Sequence, residues 1–206
     1  MTGLEAAART EALRVLGWVE DGRGAVALLG PDEPRFWGVF TASPDYGDGR
    51  PDPLDRWSKR VIGALAVQVG GEAVFPSDGP PYPPFLDWAV RSGRCWPSPV
   101  GMLVHAEAGL WVSFRGAIRL PGAVPEAEPA MKPCDDCAAS CLTACPVGAL
   151  SARGYDVAAC HAFLDTEAGR DCMERGCKAR RICPVGAAHG RLPEQAAFHM
   201  GAFHPR

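Results

Sequence analysis

Eight of the nine cysteines in this 206-residue chain fall in its last third: Cys134, Cys137, Cys141, Cys145, Cys160, Cys172, Cys177 and Cys183. Only Cys95 lies upstream. The first four read Cys134-x2-Cys137-x3-Cys141-x3-Cys145-Pro146, and the rest Cys160, then Cys172-x4-Cys177-x5-Cys183-Pro184. A short repeat links the two groups. Cys145-Pro146-Val147-Gly148-Ala149 returns as Cys183-Pro184-Val185-Gly186-Ala187. Three close cysteines on one loop reach three corners of an iron–sulfur cube, and the fourth thiolate must come from elsewhere. In two-cluster ferredoxins it is the cysteine before proline that crosses to the other cluster. Proline also suits the first turn of a helix, where its missing N–H leaves nothing unsatisfied. The crossover rule therefore predicts two [4Fe–4S] sites. One takes Cys134, Cys137, Cys141 and Cys183, and the other takes Cys145, Cys160, Cys172 and Cys177. Electron transfer is the expected role. Two alternatives stay open at this point. A structural zinc domain also uses four thiolates, although only Cys134–Cys137 has the usual knuckle spacing. A single-cluster form would follow if Cys172 and Cys177 were badly placed.

The charge balance, 21 basic against 24 acidic residues, argues against a general nucleic-acid-binding surface. No apolar run approaches the roughly 18 residues of a membrane span. The first residues lack the charge, apolar run and cleavage order of a signal peptide. A cytoplasmic setting is the expectation, and there clustered cysteines mean metal or redox work, not disulfides. Arg175, Lys178, Arg180 and Arg181 surround Cys177 with no acid between them. They read either as a solvated face, or as a docking patch for a redox partner protein or positive charge for a reduced cluster.

The elements that must position these cysteines follow from hydrophobic period. Leu4, Ala8, Ala12, Val15, Leu16 and Val19 predict a helix over 4–19. Strands are predicted at Ala25–Leu29 and Arg35–Thr41, a helix at 53–69, and a short strand at Ala73–Phe75. A short helix near Phe85–Arg91 follows. A hairpin of Gly101–His105 with Leu110–Ile118 turns at Glu107–Gly109. The alternation implies an α+β chain with an α/β body over 1–121. A Pro-rich connector follows at 122–133, then a ferredoxin-like domain over 134–190 and a tail helix in 191–206.

The string CDDCAASCLTACPVGAL, followed by CHAFLD and a final Cys-Pro, resembles the ferredoxin-like domain of the epoxyqueuosine reductase family. FPSDGPPYPPFLDWAVRSG and MLVHAEAGLWVSFRGAI are similar to segments that precede the clusters there. The resemblance implies an α/β domain related to cobalamin-processing proteins, and a cobalamin-dependent reductase as the alternative function. The chain departs from the family pattern. It carries one extra residue between Cys137 and Cys141, and Pro97-Ser98-Pro99 stands where the family has Gly-Lys-Asn. The helical repeats that help bind tRNA are absent. Cobalamin is therefore not the favoured cofactor, and the chain reads as a shortened relative. The family's acidic proton donor corresponds to Asp78, whose simpler reading is a turn residue bonding its own backbone.

The remaining candidates read as structural. Cys95 is expected as a small buried hydrophobe, and His105 as a satisfied histidine closing a strand. His161 follows a ligand that suffices without it. His189, His199 and His204 are expected as scattered surface groups. Trp57, Trp88, Trp96 and Trp111 fit core packing, although Trp88, Trp96 and Trp111 would also suit the walls of a corrinoid cleft.

Overall fold

A computed structural model describes residues 3–126 and 129–205. The chain is mixed α+β with small sheets. In order, the elements are α1 (Gly3–Thr10), β1 (Leu13–Glu20), β2 (Ala25–Pro31), α2 (Arg35–Thr41), α3 (Pro44–Gly47), α4 (Pro53–Val69), β3 (Glu72–Val74) and α5 (Phe85–Arg91). Then come β4 (Cys95–Pro97), β5 (Leu103–His105), β6 (Gly116–Leu120), α6 (Cys141–Ala144), β7 (Leu150–Ser151), β8 (Gly154–Tyr155) and α7 (Val157–Leu164). After a 3-10 turn at Glu167–Gly169 follow α8 (Arg170–Arg175), α9 (Lys178–Arg181), α10 (Pro184–Ala187) and α11 (Pro193–Phe203). Among the described residues no helix is long and apolar enough to cross a membrane.

These elements form two compact units that do not follow the chain linearly: Met1–Arg94 with Ser113–Ala130, and Cys95–Val112 with Met131–Arg206. In the first unit a four-stranded antiparallel sheet runs β1-β2-β6-β3. Its central strand β2 is buried along its whole length. Helix α4 packs on β6 and β3 through Trp57, Val61, Ile62 and Leu65. Arg119 on β6 ties the sheet's edges together. Its Nε and Nη2 donate to Asp21 Oδ2 (2.9 and 2.6 Å) and its Nη1 to Glu72 Oε2 (2.7 Å). Burial would push the Asp21 carboxyl up, but hydrogen bonds from Arg119 and the Arg23 N–H, with the charges of both, hold it below the usual value.

Three expectations fail here for identifiable reasons. The helix expected over 4–19 stops at Thr10, because Ala12 takes a left-handed conformation (φ 54°) and Leu13–Glu20 pairs with β2. Arg35–Thr41 is a helix, not a strand. Phe36 and Phe40, one turn apart, stack on each other and both meet the Trp57 ring edge-on. That contact set needs helical spacing. The expected hairpin of 101–105 with 110–118 does not form. β5 pairs instead with β4, while β6 pairs with β2 and β3 in the other unit. Only an isolated bridge, His105 to Gly109, remains of the expected turn. By contrast α4, α5 and α11 lie where hydrophobic period places them.

Candidate metal centre

The cysteine unit is built on short helices, of which α6, α9 and α10 begin at or just after a cysteine. Cys134 and Cys137 sit on a loop closed by the Cys137 N–H to the Cys134 carbonyl, 3.3 Å. Between Cys137 and Cys141, Ala139 takes a left-handed conformation (φ 50°), after which Cys141 opens α6. The cysteines of the two Cys-Pro repeats share one backbone conformation, although Pro184–Ala187 is helical and Gly148 takes φ 60°. Cys145 has φ −75° and ψ 119°, and Cys183 has φ −63° and ψ 117°. Pro184 then starts α10 with its N–H absent where none is needed. Cys160 lies on α7, whose N-terminus Asp156 caps by accepting from the Ala159 N–H, 2.9 Å. Cys172 is buried on α8, and Cys177 precedes α9.

Mutual electrostatic influence sorts the thiols into two groups. Burial raises the Cys134 thiol, Lys132 lowers it, and Cys137, Cys141 and Cys183 raise it again. Burial likewise raises Cys141, which also feels Cys137 and Cys183. In the other group burial raises Cys160, a hydrogen bond from Tyr155 lowers it, and Cys177 and Cys145 raise it. Cys172 is raised by burial, lowered by the Lys178 backbone N–H, and raised by Cys177. The thiols that bear on Cys134, Cys141, Cys160 and Cys172 fall within the quartet expected for each. Backbone N–H groups already point at sulfur: Ala149 N–H donates to Cys145 Sγ at 3.3 Å.

A cavity of about 300 Å³ adjoins the first quartet, lined by Cys134, Cys137, Cys141 and Cys183 together with Ser98, Pro99 and Leu110 among others. Pro97-Ser98-Pro99 therefore ends β4 beside this group, where the Ser98 N–H bonds the Met102 carbonyl at 2.9 Å. The apolar core here joins Val100, Val104, Leu110, Leu150 and Ala179 to thiols of both quartets, including Cys141, Cys183 and Cys177. Gly109 (φ 56°) is required: a Cβ there would lie 2.4 Å from the Gly186 nitrogen and 2.9 Å from Cys183 Sγ. Among the described residues no three His, Cys, Asp or Glu are grouped as a single metal ion would need. A cubane sets a different requirement, one thiolate on each of four separate irons.

Other candidates are structural. Cys95 is buried on β4. His105 Nδ1 accepts from the N–H groups of Glu107 (3.0 Å) and Ala108 (3.1 Å), so its proton is on Nε2. Asp78 Oδ2 accepts from the Phe75 N–H (2.8 Å), closing its own turn, and its other oxygen lies 3.6 Å from Lys59 Nζ. Trp57 and Trp88 are core residues of the first unit, while Trp96 and Trp111 belong to the second. His204 is not an exposed surface group. It is buried, its Nε2 lies 2.8 Å from Asp165 Oδ1, and its ring meets His161. The basic run around Cys177 is partly neutralised, because Asp171 lies against Arg181, 3.7 Å from Arg175 and 3.6 Å from Lys178. The sequence reading missed this acid because it sits one helix earlier. It also missed Tyr155, whose hydroxyl bonds Cys160; a tyrosine five residues before a cysteine carries no spacing signal.

No family model, curated protein or solved structure matches this chain.

Proposed function

We propose that this chain is an iron–sulfur electron-transfer protein that holds two [4Fe–4S] clusters and serves as a relay for a reductase. The observation that carries the reading is the crossover. Cys183, 46 residues beyond Cys137 in the sequence, shares a thiol group with Cys134, Cys137 and Cys141. Cys145 shares one with Cys160 and Cys177. Two identical Cys-Pro-Val-Gly-Ala segments, whose cysteines share one backbone conformation, carry the thiols assigned to cross, as a two-cluster ferredoxin-like unit requires. The donor set fits: each group offers four thiols and no competing hard carboxylate ligand is needed.

When bound, the clusters supply one-electron oxidation and reduction. The chain's own residues do the rest. Leu110, Val104 and Ala179 form an apolar core against thiols of both groups, and an apolar setting strengthens electrostatic contacts beside it. The Ala149 and Lys178 N–H groups hold charge on Cys145 and Cys172. The implied partner is a redox protein, and a cytoplasmic setting follows from the thiol chemistry.

Anaerobic reconstitution tests the reading. About eight iron and eight acid-labile sulfide per chain are expected, as two four-iron cubes require. Stoichiometric zinc without sulfide overturns it. EPR of the reduced single variants tests the crossover. Cys183→Ala and Cys134→Ala should erase the same signal, and Cys145→Ala the other; a shared loss for Cys145→Ala and Cys134→Ala means each cluster is held locally.

A further inference from the structure

Three of the four cations around Cys177 converge on Asp171, but Arg180 turns the other way. Its Nη1 donates to the Leu110 carbonyl, 2.8 Å, inside the core that links the two thiol groups. Among the described residues no carboxylate pairs with it; it stands on α9 one turn past Cys177, whose carbonyl accepts the Arg180 N–H at 3.1 Å, and Cys177 packs against the same core. Burial disfavours the guanidinium's charge, yet arginine stays protonated in proteins. A partly buried cation with one neutral acceptor and no carboxylate beside it is costly, and such a site persists where something else supplies the negative charge. Four thiolates around one cluster supply it. Reducing that cluster adds one more negative charge and no proton, so a fixed cation beside it favours the reduced form.

We propose that Arg180 is the partly buried counter-charge of the Cys145, Cys160, Cys172 and Cys177 site and raises the reduction potential of the cluster held there. The inference rests on the iron–sulfur reading and names a tuning residue within it. The side chain alone is at issue, because the Arg180 carbonyl separately accepts the Cys183 N–H, 3.3 Å, and side-chain substitution leaves that bond in place. Arg180 acts through the cluster's environment and is a positioning residue, not a ligand.

The test is an EPR-monitored redox titration of the full-length, anaerobically reconstituted wild type, Arg180→Gln and Arg180→Lys, with a one-electron chemical reductant and iron and sulfide assayed on each. Arg180→Gln is expected to load both clusters and to make the second about tenfold harder to reduce at fixed potential, a downward shift of ~59 mV for one electron. The first cluster should move less, and Arg180→Lys should stay near the wild type. A fully loaded Arg180→Gln with an unmoved midpoint, or an equal shift at both clusters, overturns the proposal. If Arg180→Gln loads only one cluster, Arg180→Lys decides. Recovery of the second cluster at near wild-type potential supports the charge role, and failure to recover it marks a purely structural role and overturns the proposal. A wild type that takes up neither iron nor sulfide brings down the functional reading itself, a result distinct from all of these.

Discussion

At the residue scale the two Cys-Pro-Val-Gly-Ala repeats are alike in sequence but not in what their glycines do. Gly148 is needed for its backbone, since it takes φ 60° with open space where a Cβ would stand. Gly186 is needed for its missing side chain, since a Cβ there would lie 3.0 Å from Trp111 Cδ1. Gly109 is needed for both reasons, and its close neighbours are Gly186 and Cys183 Sγ. Gly148→Ala should therefore cost about 1 kcal/mol of left-handed strain and leave iron content unchanged. Gly109→Ala adds a clash with backbone that cannot swing aside, and should cost about 3 kcal/mol. It should also displace Cys183 and halve the iron bound after reconstitution, with the loss confined to the EPR signal that Cys134→Ala removes. Equal iron in the two variants would show that Gly109 does not hold Cys183 in place. The eight clustered cysteines were legible as residue types at fixed spacings. Tyr155, Asp171 and the inward turn of Arg180 were not, because they depend on which way short helices face.

At the element scale, membership of the core was easier to read than the kind of element that delivers it. Of the six residues on the expected helical face, Leu4, Ala8, Ala12, Leu16 and Val19 are buried and Val15 is half-buried, yet they come from a helix and a strand joined at Ala12. A buried strand with a bulge between Val15 and Gly17 can mimic helical period over one turn. Phe36 and Phe40 were misread because aromatic and β-branched residues favour strands in general, while here tertiary stacking on Trp57 decides. Long-range pairing of β6 with β2 and β3 left no local trace. It is held at one end by Arg119 between Asp21 and Glu72, with the Asp21 and Arg119 side chains almost wholly buried. Removing one partner of such a pair strands the other. Arg119→Met should therefore destabilise the sheet by about 2 kcal/mol near neutral pH. The sign with pH follows from the lowered Asp21 carboxyl. Its stabilisation is present above the unfolded value of about 3.9 and fades as pH falls through the lower folded value. Urea denaturation near pH 7 and about pH 3 should thus show the gap between wild type and variant closing in acid. A gap that stays constant with pH would assign the loss to packing of the Arg119 stem alone.

At the scale of the whole molecule, the cysteine unit recruits a segment that lies well before it in the sequence. The hairpin β4–β5 and the turn to Val112 belong with Met131–Arg206, and the chain between them belongs to the sheet unit. This segment supplies Val100, Val104 and Leu110 to the core around Cys141 and Cys183, and Trp96 packs against it. It supplies Gly109 beside Cys183, and Trp111 against Gly176 and Gly186. Arg191 in turn spans the segment, its guanidinium over the Trp111 ring at 5.4 Å and its Nη2 donating to the Trp111 carbonyl at 3.2 Å. A chain of 131–206 contains every proposed ligand but loses all of these contacts. Burying Leu110, Val104, Val100 and Trp111 is worth roughly 1.5–3 kcal/mol per large side chain. That sum is comparable to the stability of a whole small domain. A fragment of 131–206 should therefore bind less than one iron for every four bound by the full chain, whereas a fragment of 95–206 should retain both clusters. Iron, sulfide and EPR measurements on the two fragments, reconstituted alongside the full chain, would decide it. Full loading of 131–206 would mean that the ligand run alone organises both sites and that the upstream hairpin serves some other purpose.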